Sequence, residues 1–245
     1  MSDHFSAVAT DYAKSRPTYP PALFAWLADV TPGCDLAWDA GAGSGQASVA
    51  LAEHFKQVVA TDISAEQLKA APSRANVTYR VGEFSGMDDG TADLVTVAQA
   101  LHWFDLDAFY AETRRVLKPG GLLAVWTYNI LTVADQPAIN IELNHFYDEI
   151  VGPYWPPDRR HVENGYADLP FPFSQIMTPR FAMQAEWSLD QLLGYLKSWS
   201  ATARMHKATG VNPVDELTGP IRHAWGDPVV VRTILWPLTV KAGHP

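Results

Sequence analysis

The 245-residue chain contains a single cysteine, Cys34. An intrachain disulfide is therefore excluded, and so is a cysteine-rich zinc cluster. No basic neighbour in sequence activates that thiol, so Cys34 reads as inert. Positive charge is also scarce: Lys and Arg total 18 against 27 Asp and Glu, a formal net charge of −9. Such a surface repels phosphate backbones on average, so no nucleic-acid partner is expected. The longest apolar stretch, residues 122–134, is interrupted by Asn129 and is too short to span a bilayer. Met1-Ser2-Asp3-His4 does not begin a basic-then-apolar leader. No repeat at solenoid period is visible. His145, His206 and His223 lack metal-ligand spacing, and Asp88-Asp89 reads as a solvated turn, so no metal is expected. What is present is a 47% hydrophobic composition, enough for a sizeable core. The expectation is an acidic, soluble, cytoplasmic protein of one domain with an elaborated lobe, its oligomeric state left open.

The first half alternates short apolar runs with amphipathic segments. Strands are expected at 36–38, 58–61, 77–81, 94–98 and 122–128. A helix is expected from Ser44 to Phe55. Another starts at Ser64-Ala65-Glu66-Gln67, where Gln67 can reach back to the cap residue. Asp105 or Asp107 caps a third, with Leu106, Phe109, Tyr110, Thr113, Val116 and Leu117 at helical spacing, and Lys118-Pro119-Gly120-Gly121 stops it. Strands alternating with crossover helices define an α/β chain with a doubly wound, mostly parallel sheet. The cofactor-binding core would cover about 30–128. After Thr127 the composition changes. A helix is expected over 135–150, and six prolines between Pro153 and Pro179 predict a long ordered loop. A strand follows at 180–187, a helix over 189–205, and a last strand over 229–241 interrupted by Pro237. The two late strands complete a seven-stranded sheet, the C-terminal one antiparallel. The region 130–228 becomes a partly inserted helical, Pro-rich lobe.

The most informative residues directly follow the first strand: Asp39-Ala40-Gly41-Ala42-Gly43-Ser44-Gly45-Gln46. Small residues let a ligand approach the backbone, and free amides at a helix start favour an anion. Asp62 ends the second strand, 21 residues after Gly41, where doubly wound folds place an acid for ribose hydroxyls. A dinucleotide fingerprint needs a third small residue where Gln46 stands, and Asp39 suits a pyrophosphate poorly. It suits a ligand with an ammonium and a sulfonium. S-adenosylmethionine has both, together with a ribose and a carboxylate.

This turn resembles the first motif of class I S-adenosylmethionine-dependent methyltransferases, which implies a Rossmann-like fold. Three further stretches resemble the small-molecule branch related to trans-aconitate methyltransferase: Tyr12-Ala13-Lys14-Ser15-Arg16-Pro17-Thr18-Tyr19-Pro20, Ala98-Gln99-Ala100-Leu101-His102-Trp103-Phe104, and Arg115-Val116-Leu117-Lys118-Pro119-Gly120-Gly121. The resemblance covers about residues 5–130 well and the rest loosely. It implies that Asp62 holds the ribose hydroxyls. The turn glycines, Gly41 and Gly43 among them, hold the methionine end with Asp39, and Ala40, Gln46 and Ile63 belong to the same cofactor site. Gln99 and Ala100 lie near the sulfonium, and Tyr12 and Arg16 fold over the cofactor as a lid. Relatives place an acid after the third strand against the adenine. Here Gly82-Glu83-Phe84-Ser85-Gly86 is shortened, Glu83 is the candidate for that role, and Phe84 packs on the ring.

Methyl transfer from a sulfonium is an in-line displacement in which alignment alone can contribute roughly 7–11 kcal/mol. A carboxylate acceptor is already ionised at neutral pH and needs no base, whereas a hydroxyl or amine benefits from one. His102, after the fourth strand, can orient the acceptor or take its proton, or stand as a structural histidine. Trp103 can exclude water over the acceptor. Arg159 and Arg160, near Tyr154, Trp155 and Tyr166, suit an acidic small molecule or remain surface charges. The leading expectation is methyl ester formation on a carboxylate. O- or N-methylation with His102 as base, a non-catalytic cofactor binder and an NAD-dependent oxidoreductase stay open as alternatives.

Overall fold

A computed structural model describes residues 17–84 and 86–245. In chain order the elements are α1 (Pro21–Val30), β1 (Leu36–Ala40), α2 (Gln46–Leu51), β2 (Gln57–Asp62), α3 (Ala65–Lys69), β3 (Val77–Val81), β4 (Ala92–Ala98), α4 (Leu106–Val116) and β5 (Leu117–Tyr128). There follow β6 (Thr132–Val133), α5 (Pro137–His145), α6 (Arg159–Glu163), β7 (Ser174–Gln175), β8 (Phe181–Trp187), α7 (Leu189–Lys197), α8 (Ser200–Thr209), α9 (Pro213–Trp225) and β9 (Arg232–His244). All the expected strands form, and the two-residue β6 and β7 are added. Contacts divide the chain into two compact units.

The first unit is Tyr19–Asn129 with Arg160–Ala182 and Pro237–Pro245. Its strands run β3-β2-β1-β4-β5 in parallel. β9 then pairs antiparallel to β5, from Tyr128↔Leu238 to Leu123↔Gly243. The order reverses between β1 and β4, so the carboxyl ends of those strands form the crevice where such sheets take ligands. β4 is buried along almost its whole length, as a central strand covered on both faces must be. On one face α4 contributes Phe109, Tyr110 and Val116 to a core with Trp38, Val95, Val97, Leu123 and Val125. On the other, Phe24 of α1 meets Trp126 edge-on at 6.1 Å. Each such side chain contributes about 1.5–3 kcal/mol through removal from water.

The second unit includes Ile130–Arg159 and Met183–Trp236. It is mainly helical: α7 buries Leu189, Leu192, Leu193 and Leu196, and α9 buries Val214, Leu217, Ile221 and Trp225. β8 pairs with β9. An aromatic cluster joins Tyr147, Trp155, Tyr195 and Trp199.

Several boundaries differ from expectation for identifiable reasons. The helix after the Gly-rich turn begins at Gln46, because Gly45 is left-handed at φ 78°. Asp105 is the residue that caps α4, accepting the Ala108 amide at 3.2 Å. Lys118-Pro119-Gly120-Gly121 ends that helix but lies within β5. The register passes from Ala92↔Leu117 to Leu94↔Leu122, so the four residues form a bulge. The Pro-rich stretch is not all loop, since it holds α6 and β7. The helix expected over 189–205 is two, broken at Ser198-Trp199. Residues 213–225 form α9 despite Gly219 and Pro220, because Asn212 caps it and Pro213 opens it. Pro237, which has no amide to donate, lies exposed between the stretches of β9 that pair with β5 and β6.

Candidate functional site

The Gly-rich turn leaves β1 with Gly41, Gly43 and Gly45 all at positive φ. A side chain at Gly41 would start 2.8 Å from the Ala100 methyl and 3.1 Å from Phe104, so glycine lets the ends of β1 and β4 touch. At Gly43 the nearest atom to such a side chain would be Gln67 Oε1 at 3.8 Å, which leaves that backbone approachable. Asp62, at the end of β2, accepts the Gly43 amide through Oδ2 and the Ser64 amide through Oδ1, both at 2.8 Å. A carboxylate has about four acceptor positions, and these amides use two of them. The expected return bond from Gln67 to the cap residue is thereby corrected: Asp62 takes the Ser64 amide. Ser64 Oγ still accepts the Gln67 amide at 3.2 Å. The carboxylate two residues upstream is the stronger acceptor.

The Asp39 carboxyl is wholly buried. Ser48 Oγ donates to Oδ2 at 2.5 Å and Thr96 Oγ1 to Oδ1 at 3.0 Å. Burial pushes the carboxyl up to about 6; the Ser48 and Thr96 hydroxyls pull it down, and the charge on Asp62 adds to the rise. Asp39 thus acts on the turn through its field and through the helix start that Ser48 anchors.

At the carboxyl end of β4, Gln99 is left-handed at φ 60°. Its side-chain amide is paired with the Tyr128 backbone, donating to the carbonyl and accepting the amide, each at 3.0 Å. Thr127 Oγ1 donates to the same oxygen. Gln99 therefore ties β4 to β5 through its side chain. Its backbone delivers Ala100 to Gly41. Next comes a 3-10 turn, Leu101–Trp103. His102 is half-buried there, with Nδ1 3.1 Å from the Tyr166 hydroxyl.

Tyr166 is buried and left-handed at φ 61°. Such a conformation costs a non-glycine residue about 1–3 kcal/mol and persists only where surroundings impose it. Here the Tyr166 amide donates to the His161 carbonyl at 2.8 Å, and its own carbonyl accepts from Lys241 Nζ. Burial lowers the Lys241 ammonium below its ordinary value, while Asp168 acts in the opposite direction.

The strand ends beside the turn carry exposed apolar residues. Ile63 follows β2 and is 73% exposed, Phe84 follows β3 at 49%, and Trp103 follows β4 at 63%. Glu83 is exposed next to Phe84. Gly82 N donates to the Asp62 carbonyl at 3.0 Å, so the segments after β2 and β3 start side by side. Gln46 is the first residue of α2. Tyr12 and Arg16 lie outside the described residues. Arg160 is exposed in the first unit. Arg159 belongs to the second, where Nε donates to the Tyr147 hydroxyl at 2.8 Å and the guanidinium sits 4.7 Å over Trp155. Asp89 pairs with Arg115 at 2.6 Å, in keeping with a solvated turn. Among the described residues no cluster suited to a metal occurs, and no helix is long and apolar enough to cross a membrane.

Sequence reasoning missed Ser48, Thr96, Thr127 and Lys241, and took Tyr166 only as a nearby aromatic. Nothing in spacing marks them, because their partners lie 9 to 75 positions away. Only a positive-φ non-glycine such as Tyr166 signals itself once backbone angles are known.

Residues 38–125 match a family model described as a methyltransferase domain. A Dictyostelium discoideum protein carrying a methyltransferase name is 34% identical over 229 residues, covering 92% of this chain and 87% of its own. A Mycobacterium tuberculosis protein with a methyltransferase name is 38% identical over 130 residues, 51% of this chain and 53% of its own. A solved structure from Anaeromyxobacter dehalogenans, titled a type II methyltransferase, is 41% identical. Its TM-score is 0.89, over 94% of this chain and 97% of that one. The chain belongs to the methyltransferase family. It is an S-adenosylmethionine-dependent enzyme of the class I, Rossmann-like fold, with the C-terminal strand antiparallel.

Proposed function

We propose that the protein methylates a carboxylate on a small molecule, giving a methyl ester. The cofactor, when bound, supplies a methyl group on an electrophilic sulfonium. The residues present fit it. Asp62 keeps acceptor capacity for ribose hydroxyls beyond its two amide bonds. The Gly43 backbone is approachable, and Ala40, Gly41 and Gln46 line the path from strand to helix start. Ile63 and Phe84 offer apolar faces to a base beside Glu83, and Asp39 supplies a buried acid beneath the methionine end. Ala100 borders the place where the methyl is delivered.

The observation that carries the choice of acceptor is the His102 environment. Its Nδ1 meets a phenol, Tyr166, at 3.1 Å. A histidine working as general base is held in the base tautomer by a group that accepts from Nδ1 and stabilises the imidazolium, a part usually taken by a carboxylate. A phenol is a poor partner for that role. A carboxylate acceptor, ionised at neutral pH, requires no base. On this reading Trp103 excludes water, and Arg160 draws an acidic substrate.

The test is methyl transfer from labelled cofactor to a panel of carboxylic acids, phenols and amines, with wild-type protein and His102→Ala. Transfer to acids with less than about tenfold loss in the variant is the expected result. Transfer confined to phenols or amines, with a loss on the order of a hundredfold or more, would assign a base instead.

A further inference from the structure

We infer that Arg232, with the exposed valines Val229, Val230 and Val231, forms a binding site for a small apolar carboxylic acid within the second unit. The inference goes beyond the methyl-transfer reading and does not draw on it. Arg232 opens β9 and is half-buried. Its Nη2 donates at 2.8 Å to the carbonyl of Trp225, the last residue of α9. That bond places a cation at the helix end, as the macrodipole favours. It uses one of the five donors of a guanidinium. Nε is enclosed and donates to nothing among the described residues. Nη1 has no partner there either, but it is not enclosed.

Among the described residues no carboxylate lies within ion-pair distance of Arg232. The acids on the neighbouring turn and strand are engaged otherwise. Asp227 Oδ1 accepts the Val229 amide at 3.1 Å, and Glu186 Oε1 accepts the Thr233 hydroxyl at 2.8 Å. The Trp225 ring lies 5.2 Å from the guanidinium and attracts it, but it supplies no anion. A half-buried charge is ordinarily paired, so this one is short of a partner. Trp225 also fixes what stands beside it, because its Nε1 donates to the Val230 carbonyl at 3.1 Å. Val229, Val230 and Val231 are 76%, 41% and 55% exposed. Single apolar residues at a surface are ordinary; three in succession next to an unpaired cation make an apolar patch with one positive point. The molecule that matches both parts has an apolar body and one carboxylate, which takes a charge-assisted hydrogen bond from Nη1. The formal net charge of −9 selects a single small anion over an anionic membrane, whose many charges meet the repulsion of the whole surface.

The experiment is an NMR titration of the protein, 15N-labelled on arginine, with octanoate at pH 6.5, where the acid is ionised and arginine keeps its proton. The Arg232 Nε–H signal is assigned by its loss in Arg232→Lys. Expected is a saturable shift of that signal by octanoate at millimolar concentration or below. Octanol, which lacks the charge, and acetate, which lacks the tail, bind at least about tenfold more weakly. Val229→Asp, a change in an exposed turn, leaves the circular dichroism unaltered and weakens octanoate binding at least about tenfold through like-charge repulsion. An Arg232 signal unmoved by octanoate overturns the inference, and so does unchanged affinity in Val229→Asp. Octanol binding as tightly as octanoate overturns the role of the cation. A shift with anionic phospholipid vesicles and none with octanoate overturns the choice of a free acid. Calorimetry with the same three ligands on wild type and Val229→Asp carries these comparisons if Arg232→Lys does not fold. Absence of S-adenosylhomocysteine binding to the wild type defeats the methyl-transfer reading and leaves this one standing.

Discussion

Ser48 donates its hydroxyl to Asp39 at 2.5 Å, across the junction between the Gly-rich turn and the first turn of α2. The bond links the end of β1 to the helix that follows the Gly-rich turn. It also makes Asp39 a buried acid in competition between two influences. Desolvation favours the neutral form, and two hydroxyl donors favour the charged one.

The pH dependence follows from that competition. The folded-state value of Asp39, about 6, lies above the ordinary 3.8. Below about pH 3 the group is protonated in both states and its contribution to folding is complete. As pH rises through 6 the folded protein must ionise a buried acid, and about 3 kcal/mol of that contribution is lost. Asp39→Asn has no such group. The stability of the wild type relative to this variant should therefore fall by about 3 kcal/mol between pH 3 and pH 7. Urea unfolding of both proteins across that range checks it. A pH-independent difference would mean that the carboxyl titrates normally.

Asp62 serves two partners and, on the proposed reading, a third. Replacing it by Ala should weaken S-adenosylmethionine binding by roughly 1–3 kcal/mol, the cost of stranding ligand hydroxyls. The same change frees the Gly43 and Ser64 amides, so the ligand-free variant should also lose about 1 kcal/mol of stability. Titration calorimetry and denaturant unfolding separate the two effects. Unchanged affinity would place the ribose elsewhere.

Gly41 carries two independent constraints. Its φ of 68° disfavours any side chain, and the Ala100 methyl is 2.8 Å from where one would start. Gly41→Ala should destabilise the protein by about 2 kcal/mol or more. Adding Ala100→Gly should recover the steric part but not the backbone part. Unfolding free energies of the single and double variants measure each.

Lys118, from the stretch expected to stop the helix, reaches Asp93 Oδ1 at 2.8 Å. Asp93 is buried and also accepts the Asp35 and Leu36 amides at 2.8 and 3.0 Å. Lys118→Met should cost about 1–3 kcal/mol by leaving that acid short of a partner. Lys118→Met with Asp93→Asn should cost less than the sum of the single changes, and a double-mutant cycle reads the coupling.

The strand pattern, the Gly-rich turn and the acid at the end of β2 were legible because each is a local pattern. Alternating hydrophobicity, small residues that release the backbone, and one carboxylate at a set spacing all act within a short stretch of chain. That was enough to anticipate the sheet and the class of cofactor. What lies against those residues was not legible. The enclosure of Asp39 by Ser48 and Thr96, which come from two different elements, is not written in the turn itself. Nor is the pairing of the Gln99 amide with the β5 backbone at Tyr128. Tyr166 and His102 meet across a sequence separation of 64 residues, and no periodicity encodes such a meeting. Chain order by itself determined which chemical groups the protein possesses and which elements carry them. Their burial, their partners and the protonation each one prefers were decided only by tertiary structure, because desolvation and hydrogen bonding depend on which distant segment closes over a group.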